Sequence, residues 1–284
     1  MSPLDPDYRF EDPRRILRRH GLAPKREFSQ NFLISEGAVR AIARATDAGE
    51  GDRVVELGPG LGTLTSALLA TGAEIIAVER DREMTAVLRE EFSGPSESGQ
   101  LKLVEGDAAS VDFSAFGEDL IVAGNLPYAI TGAIFRNLTA HRASIKRAIV
   151  MIQREVADRL IAPPGTREYG APSVFVSASF EISRVLNLPP SAFYPPPKVA
   201  SAVILLERRE EPRAVERPVF SSLVHAIFES RRKTLRNSLR RIIDDSSIEA
   251  IYQALQLSPN VRGESLSVEE IDAIAKEIER LAPG

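Results

Sequence analysis

The five residues Gly124-Asn125-Leu126-Pro127-Tyr128 have the types and spacing of a site that could act on an amine. The Asn125 side-chain oxygen and a backbone carbonyl of this loop can accept the two hydrogens of an exocyclic amino group. That contact draws the nitrogen lone pair out of conjugation and toward an electrophilic methyl group. Pro127 stiffens the turn, and Tyr128 offers a ring face to a stacked base. Stacking contributes about 1–3 kcal/mol, comparable with the few kcal/mol needed to extrude an unpaired or weakly paired base. No general base is required, because the proton can leave to water afterwards. Catalysis of this kind is mostly positioning and electrostatics. For the tetrapeptide alone, the plain alternative is a proline turn with a packing tyrosine.

A methyl donor fits the stretch from Glu56 to Thr65. Gly58, Gly60 and Gly62 are spaced G-x-G-x-G, unlike the G-x-G-x-x-G of pyrophosphate-binding loops. An acidic residue opening the loop suits a cationic ligand better than a diphosphate. S-adenosylmethionine carries a sulfonium and an ammonium, so Glu56 is chemically sensible there. Glu79 ends the next β-rich run and can accept hydrogen bonds from both ribose hydroxyls. Asp107, in Gly106-Asp107-Ala108, can take one from the adenine amino group. An ordinary βα turn explains a lone glycine-rich loop, and a nicotinamide dehydrogenase competes for this half of the chain. The ordered series Glu56, Glu79, Asp107 weakens the first of these, and the dehydrogenase remains the competitor for this half.

These residues need strands to hold them in line. β-rich runs are expected at residues 53–57, 74–79, 101–105, 120–123 and 148–153. Helices are expected at 35–48, 63–71, 82–92 and 130–140, with a loop at 94–99. This alternation predicts an α/β fold with a parallel, doubly wound sheet. Two more β-rich runs, 173–186 and 199–206, could add an antiparallel edge. From 207 to 218 the chain is charged and proline-bearing, as a linker is. Beyond it, helices are expected at 219–229, 233–243, 247–255 and 267–281, the last opened by a capping box of Ser267 and Glu270. The expected division is a basic N-terminal extension at 1–24, a Rossmann-like methyltransferase domain at 25–207 and a small all-helical domain at 208–284.

Composition narrows the chemistry. The 284 residues contain no cysteine, which excludes disulfides, thiolate metal sites and thiol catalysis. Three scattered histidines, His20, His141 and His225, make a histidine metal centre or a Ser-His-Asp triad a poor fit. No metal is expected. No apolar run approaches the roughly 20 residues of a membrane span, and the first ten residues do not read as a secretory signal. The expectation is a soluble, cytoplasmic monomer. The net charge of −4 argues at first against a nucleic-acid partner, but the charge is uneven. Basic residues concentrate in segments 9–26, 141–167 and 228–241, while 244–284 is acidic. Any one run reads as a solvated helix face. Three in an acidic chain make a phosphate-binding surface plausible.

In these motifs the sequence resembles the small-subunit rRNA adenine N6,N6-dimethyltransferases, the KsgA family. Residues 25–33, Lys25-Arg26-Glu27-Phe28-Ser29-Gln30-Asn31-Phe32-Leu33, resemble the family's N-terminal motif, whose Asn and Leu line the cofactor and map to Asn31 and Leu33. Residues 56–65, Glu79, Asp107 with Ala108, and 125–128 match its cofactor and catalytic motifs in order. Residues 153–160 resemble a segment after the fifth strand. Residues 193–199 resemble a proline-rich, target-side loop, and 228–239 a basic helix. The resemblance implies Asn125, Leu126, Pro127 and Tyr128 as the catalytic loop. It implies RNA contacts at Lys25, Arg26, Lys198, Arg231, Arg232, Lys233 and Arg236. It also implies two methylations on each of two adjacent adenosines in the 3′-terminal hairpin of small-subunit rRNA, with a second role in assembly of that subunit. Ser29, Ala129 and Ala200 depart from the family's usual Gly, Asn and Asp. The extension before residue 25 is longer and more basic than the resemblance leads one to expect. The resistance methyltransferases of large-subunit rRNA share the catalytic motifs, but 193–199 with 231–239 favour the small subunit. A non-catalytic assembly or nucleic-acid-binding factor on the same fold is the other alternative, and the intact loop argues against it.

Overall fold

The computed structural model describes residues 5, 8–25, 30–231 and 233–281. In chain order the elements are α1 (Pro13–Arg19), β1 (Phe32–Leu33), α2 (Glu36–Ala45), β2 (Arg53–Leu57), α3 (Thr63–Leu69), β3 (Glu74–Glu79), α4 (Arg82–Glu91), α5 (Ser93–Glu97) and β4 (Leu101–Glu105). Then come β5 (Leu120–Asn125), α6 (Thr131–Ala140), β6 (Ile145–Gln153), α7 (Arg154–Ile161), α8 (Ala171–Ser179), β7 (Phe180–Leu188), β8 (Phe193–Tyr194) and β9 (Ser201–Arg208). Four helices finish the chain: α9 (Pro218–Glu229), α10 (Leu235–Leu239), α11 (Asp245–Ala254) and α12 (Val268–Leu281).

Seven strands form one sheet in the order β4-β3-β2-β5-β6-β9-β7. The pairs from β4 to β6 are parallel, and β9 runs antiparallel to β6. This is the Rossmann-like sheet of the methyltransferase fold. Its central strands are apolar without alternation because both faces are covered. In β2, Val54, Val55 and Leu57 are all fully buried. Strand order reverses between β2 and β5, so their carboxyl ends open a crevice in which ligands of such sheets bind. A separate two-stranded ribbon pairs Phe32 with Tyr194 and Leu33 with Phe193.

The chain divides into two compact units, Met1–Ala157 with Ile182–Arg208, and Asp158–Glu181 with Arg209–Gly284. The helical unit therefore takes in residues 158–181, which the division expected from sequence places in the methyltransferase domain. The reason is packing. Tyr169 and Val174 are buried in one cluster with Phe220, Leu223 and Ile271, and the Tyr169 hydroxyl donates to the Leu266 carbonyl at 3.0 Å. The N-terminal segment belongs to the first unit. Asp12 caps α1 by accepting from the Arg14 N–H at 2.9 Å, and Pro13 opens the helix.

Three other expectations change. Residues 173–179 are helical rather than extended. Val174, Val176 and Ala178 repeat every second residue, yet this helix is largely buried, and periodicity does not separate a buried helix from a buried strand. The Ser173 hydroxyl accepts from the Gly170 N–H at 2.9 Å and fixes the helix start. Residues 93–97 make one helical turn where a loop is expected. The helix expected at 233–243 shrinks to five residues, with Leu235, Ser238 and Leu239 buried. The capping box of α12 forms: the Glu270 carboxylate accepts from the Ser267 N–H at 2.8 Å, and the Ser267 hydroxyl from the Glu270 N–H at 3.2 Å. Among the described residues no helix is long and apolar enough to cross a membrane.

Candidate active site

The carboxyl ends of β2, β3, β4 and β5 surround a cavity of about 210 Å³. Its wall includes Asn31 and Leu33, Glu56, Gly58 and Gly60, Glu79, Asp107 and Ala108, and all of Asn125, Leu126, Pro127 and Tyr128. The sheet order accounts for most of the gathering: from Glu56 to Tyr128, each of these residues lies in or beside a loop leaving a parallel strand at the same edge.

Glu56 is fully buried at the end of β2 and accepts from the Thr65 hydroxyl at 2.6 Å. Burial pushes its carboxyl up to about 8, a rise the Thr65 bond opposes and nearby Glu79 increases. Glu79 accepts from the Gly60 N–H at 3.0 Å with one oxygen, and from the Arg80 and Asp81 N–H groups at 2.8 Å with the other. Burial raises its titration too, against those three backbone donors. The oxygen that faces Gly60 keeps acceptor capacity for a ribose hydroxyl. Asp107 accepts from the Ala109 N–H at 2.9 Å and faces Arg80 at 3.4 Å. Acidic groups thus dominate the wall, and a cationic ligand relieves the cost of burying them. The donor set fits S-adenosylmethionine.

Asn125 ends β5, and its side-chain Nδ2 donates to the Asn31 carbonyl at 2.9 Å. A carbonyl only accepts, so this bond fixes which end of the amide is which. The Asn125 oxygen is left as the acceptor. Tyr128 is half-buried, and its hydroxyl is 2.7 Å from that of Ser201 on β9. Burial holds the phenol above its ordinary range. The Leu126 side chain is buried, and its N–H donates to the Met151 carbonyl at 3.0 Å. Leu126 therefore offers the cavity its backbone.

Gly62 is not on the wall. It caps α3 with φ +78°, and a Cβ there would sit 2.2 Å from the Phe92 ring. Close packing under the loop is its role. At Gly124 the close neighbour is main chain, since a Cβ would lie 2.5 Å from the Leu57 carbonyl oxygen. Sequence reasoning missed Gln30 and Asp81, which also line the cavity. The Gln30 Nε2 donates to Asp81 at 2.9 Å, and its Oε1 accepts from the Lys25 N–H at 2.9 Å. Asp81 is legible in the sequence only as the N-cap of α4.

The residues expected to meet RNA are dispersed in their roles. Lys25 pairs with Asp81 at 3.2 Å and Glu83 at 2.8 Å, so it ties the N-terminal segment to the cavity rim. In the helical unit, Arg231 is bound to Glu264 at 2.9 Å and to the Arg167 and Thr166 carbonyls at 2.8 and 3.1 Å, a clamp on that loop. Arg236 pairs with Glu249 and stacks over Tyr252 at 4.8 Å. Lys198 and Lys233 are exposed and make no ion pair among the described residues. Arg26, Arg232 and the Ser29 departure lie outside the described residues.

Comparison with known proteins agrees with this geometry. The model of the family described as ribosomal RNA adenine dimethylase matches residues 21–280. A Myxococcus xanthus protein named ribosomal RNA small subunit methyltransferase A is 44% identical over 281 residues, covering 96% of this chain and 98% of its own. A protein of the same name from Anaeromyxobacter sp. is 42% identical, covering 94% and 98%. Among solved structures, a dimethyladenosine transferase from Plasmodium falciparum superposes with a TM-score of 0.75 over 88% of this chain and 98% of its own. At 24% identity that likeness is one of fold. The 23S rRNA methyltransferase ErmE gives 0.67 at 25% identity, over 88% of this chain and 100% of its own. The chain belongs to the ribosomal RNA adenine dimethylase family.

Proposed function

We propose that the protein dimethylates N6 of two adjacent adenosines in the 3′-terminal hairpin of small-subunit rRNA, and that it acts as a monomer in the cytoplasm on the assembling subunit. The observation that carries this reading is the Asn125 amide, whose nitrogen is held by the Asn31 carbonyl on the wall of a cavity shared with Glu56, Glu79 and Asp107. Family membership and 44% identity to a small subunit methyltransferase over nearly the whole chain support the substrate.

S-adenosylmethionine supplies an electrophilic methyl group when bound. Glu79 would hold the ribose, Asp107 would hold the adenine amino group, and Glu56 would balance positive charge. The Asn125 oxygen and a carbonyl of its loop accept the target's two N6 hydrogens, and Tyr128 stacks the extruded base. After the first transfer the nitrogen retains one hydrogen, so Asn125 or the carbonyl suffices to orient the second. The proton released at each step leaves to water. The Tyr128–Ser201 contact keeps the ring from rotating out of the stack.

The test is to incubate the protein with labelled cofactor and separated, undermethylated ribosomal subunits, then map the label. The reading expects N6,N6-dimethyladenosine in small-subunit rRNA. Label in the large subunit, or a monomethyl end product, overturns it.

A further inference from the structure

The N-terminal segment carries an arginine face that the proposed reaction does not use. Helix α1 is anchored through Ile16 and Leu17, buried with Phe32, Leu61, Met84 and Val87. Arg19 is bound by Glu11 and Glu91, each at 2.9 Å, and His20 by Glu91 at 2.6 Å. Arg14 pairs with Asp12 at 3.0 Å. Arg15 and Arg18 are exposed and close no ion pair among the described residues, although Asp12 lies within electrostatic reach of Arg18. Arg18 in the last turn suits the helix dipole, but Arg15 does not gain from it. Like charges three and four residues apart repel, so folding alone gives no reason for this face. Arg14, Arg15 and Arg18 line a surface hollow with Phe10 and Asp12.

This face is continuous with the active-site wall. The Phe32 ring that α1 covers lies 3.1 Å from where a Cβ on Gly60 would stand in the cofactor loop. Phe32 pairs with Tyr194 across the two-stranded ribbon. Tyr194 is 40% exposed, and its hydroxyl is within electrostatic reach of the Arg14 guanidinium. Three exposed guanidinium groups, two outside any ion pair among the described residues and the third near an exposed ring, match what single-stranded nucleic acid requires: cations for phosphates and a face for a base.

We propose that Arg15, Arg18 and Arg14, with Tyr194, form a further RNA-binding surface that grips the strand flanking the target adenosine. This rests on the reading of the chain as an rRNA methyltransferase. The test uses the full-length protein and the variants Arg15→Gln/Arg18→Gln and Tyr194→Ala. Binding to undermethylated small subunits and to protein-free small-subunit rRNA is measured across a salt series. The double variant is expected to bind both about tenfold more weakly and to flatten the log–log salt slope by about 0.7–0.9 for each phosphate it no longer neutralises. Tyr194→Ala is expected to weaken both with the slope unchanged. Cofactor binding and melting temperature, measured alongside, are expected to match the unaltered protein. Unchanged affinity and slope overturn the proposal. Weakening on intact subunits but not on naked rRNA also overturns it, and assigns the face to a ribosomal protein. Failure of the unaltered protein to methylate small subunits is a separate result that counts against the proposed reaction.

A different observation carries a second inference. Thr63 is buried on the cavity wall, and its hydroxyl has no hydrogen-bond partner among the described residues. Four carboxylates line the same wall, Glu56, Glu79, Asp81 and Asp107, and the Arg80 cation there already faces Asp107. A ligand with a carboxylate of its own must find donors on this wall. We infer that the Thr63 hydroxyl donates to the carboxylate of the cofactor's amino-acid end. Calorimetry with two probes tests it: S-adenosylhomocysteine, and 5′-methylthioadenosine, which lacks that end. Thr63→Val is expected to weaken the first by at least about tenfold and leave the second within about twofold, while Thr63→Ser restores the first. Equal loss for both probes, or no loss for either, overturns the assignment.

Discussion

The side-chain amide of Asn125 donates to the main-chain carbonyl of Asn31 at 2.9 Å, joining the end of β5 to a residue 94 positions earlier. This bond converts a side chain with two chemical faces into one with a fixed polarity. One N–H of the amide is spent on the protein, and the oxygen is left for a donor. A target amine is such a donor, whereas an alkoxide or carboxylate is not. The N-terminal segment, tied in turn by Lys25 and Gln30 to Asp81, therefore takes part in setting the chemistry of a loop far from it in sequence.

Glu56 makes the site sensitive to pH, with a defined sign. The folded carboxyl titrates near 8, against an ordinary value of 4.5. Between those limits the folded chain holds a proton that the unfolded chain has released, so stability falls as pH rises through the window and is level above about pH 8. A cationic ligand favours the ionised form, so its binding releases that proton. Affinity for S-adenosylmethionine should rise with pH, approaching tenfold per unit below pH 8, then flatten. Glu56→Gln should remove most of both slopes. Titration calorimetry and urea midpoints from about pH 5 to 9 check this, and a pH-independent affinity in the unaltered protein contradicts it.

Gly124 is predicted to be intolerant of the smallest substitution. A Cβ would stand 2.5 Å from the Leu57 carbonyl oxygen, a main-chain atom at the end of the β2–β5 pairing. Gly124→Ala must push the two strands apart beside Asn125. A loss of about 1–3 kcal/mol is expected. Denaturant unfolding gives the number, and a change under about 0.5 kcal/mol, the scatter of surface substitutions, would count against the close approach.

Arg231 and Lys233 should separate, although they lie two positions apart. Arg231 bonds Glu264 and two carbonyls, so Arg231→Ala strands acceptors and should cost about 1–3 kcal/mol of stability. Lys233 is exposed with no ion pair among the described residues, so Lys233→Ala should leave stability alone. It should lower the salt dependence of RNA binding by the share of about one phosphate. Thermal melting together with a salt series on both variants distinguishes them, and the reverse assignment of effects would sink this reading.

The site was more legible in the sequence than its surroundings. Glu56, Glu79, Asp107 and Asn125 are placed by strand ends, and short apolar runs mark those ends clearly. The parallel sheet follows from the same alternation. What stayed hidden depends on contacts between distant segments. Gly62 reads as a ligand-loop glycine until Phe92 is seen beneath it. Arg231 reads as a solvent-facing cation until Glu264 and the 166–167 carbonyls are found around it. Residues 173–179 read as a strand because their apolar residues alternate, and only burial within the helical cluster makes a helix of them. Net charge was the poorest guide, since ion pairs in the structure consume many of the cations that a count treats as available.

The account turns on Asn125 as the acceptor of the target amine. Single-turnover methyl transfer and equilibrium subunit binding, measured side by side for Asn125→Ala, test that most directly. Transfer should fall by about 10²–10³-fold, as when one positioned hydrogen-bond partner is removed from a transition state. Subunit affinity should stay within about threefold, because phosphate contacts outside the loop dominate RNA affinity. Equal loss of transfer and binding, or transfer that survives the substitution, would contradict the assignment.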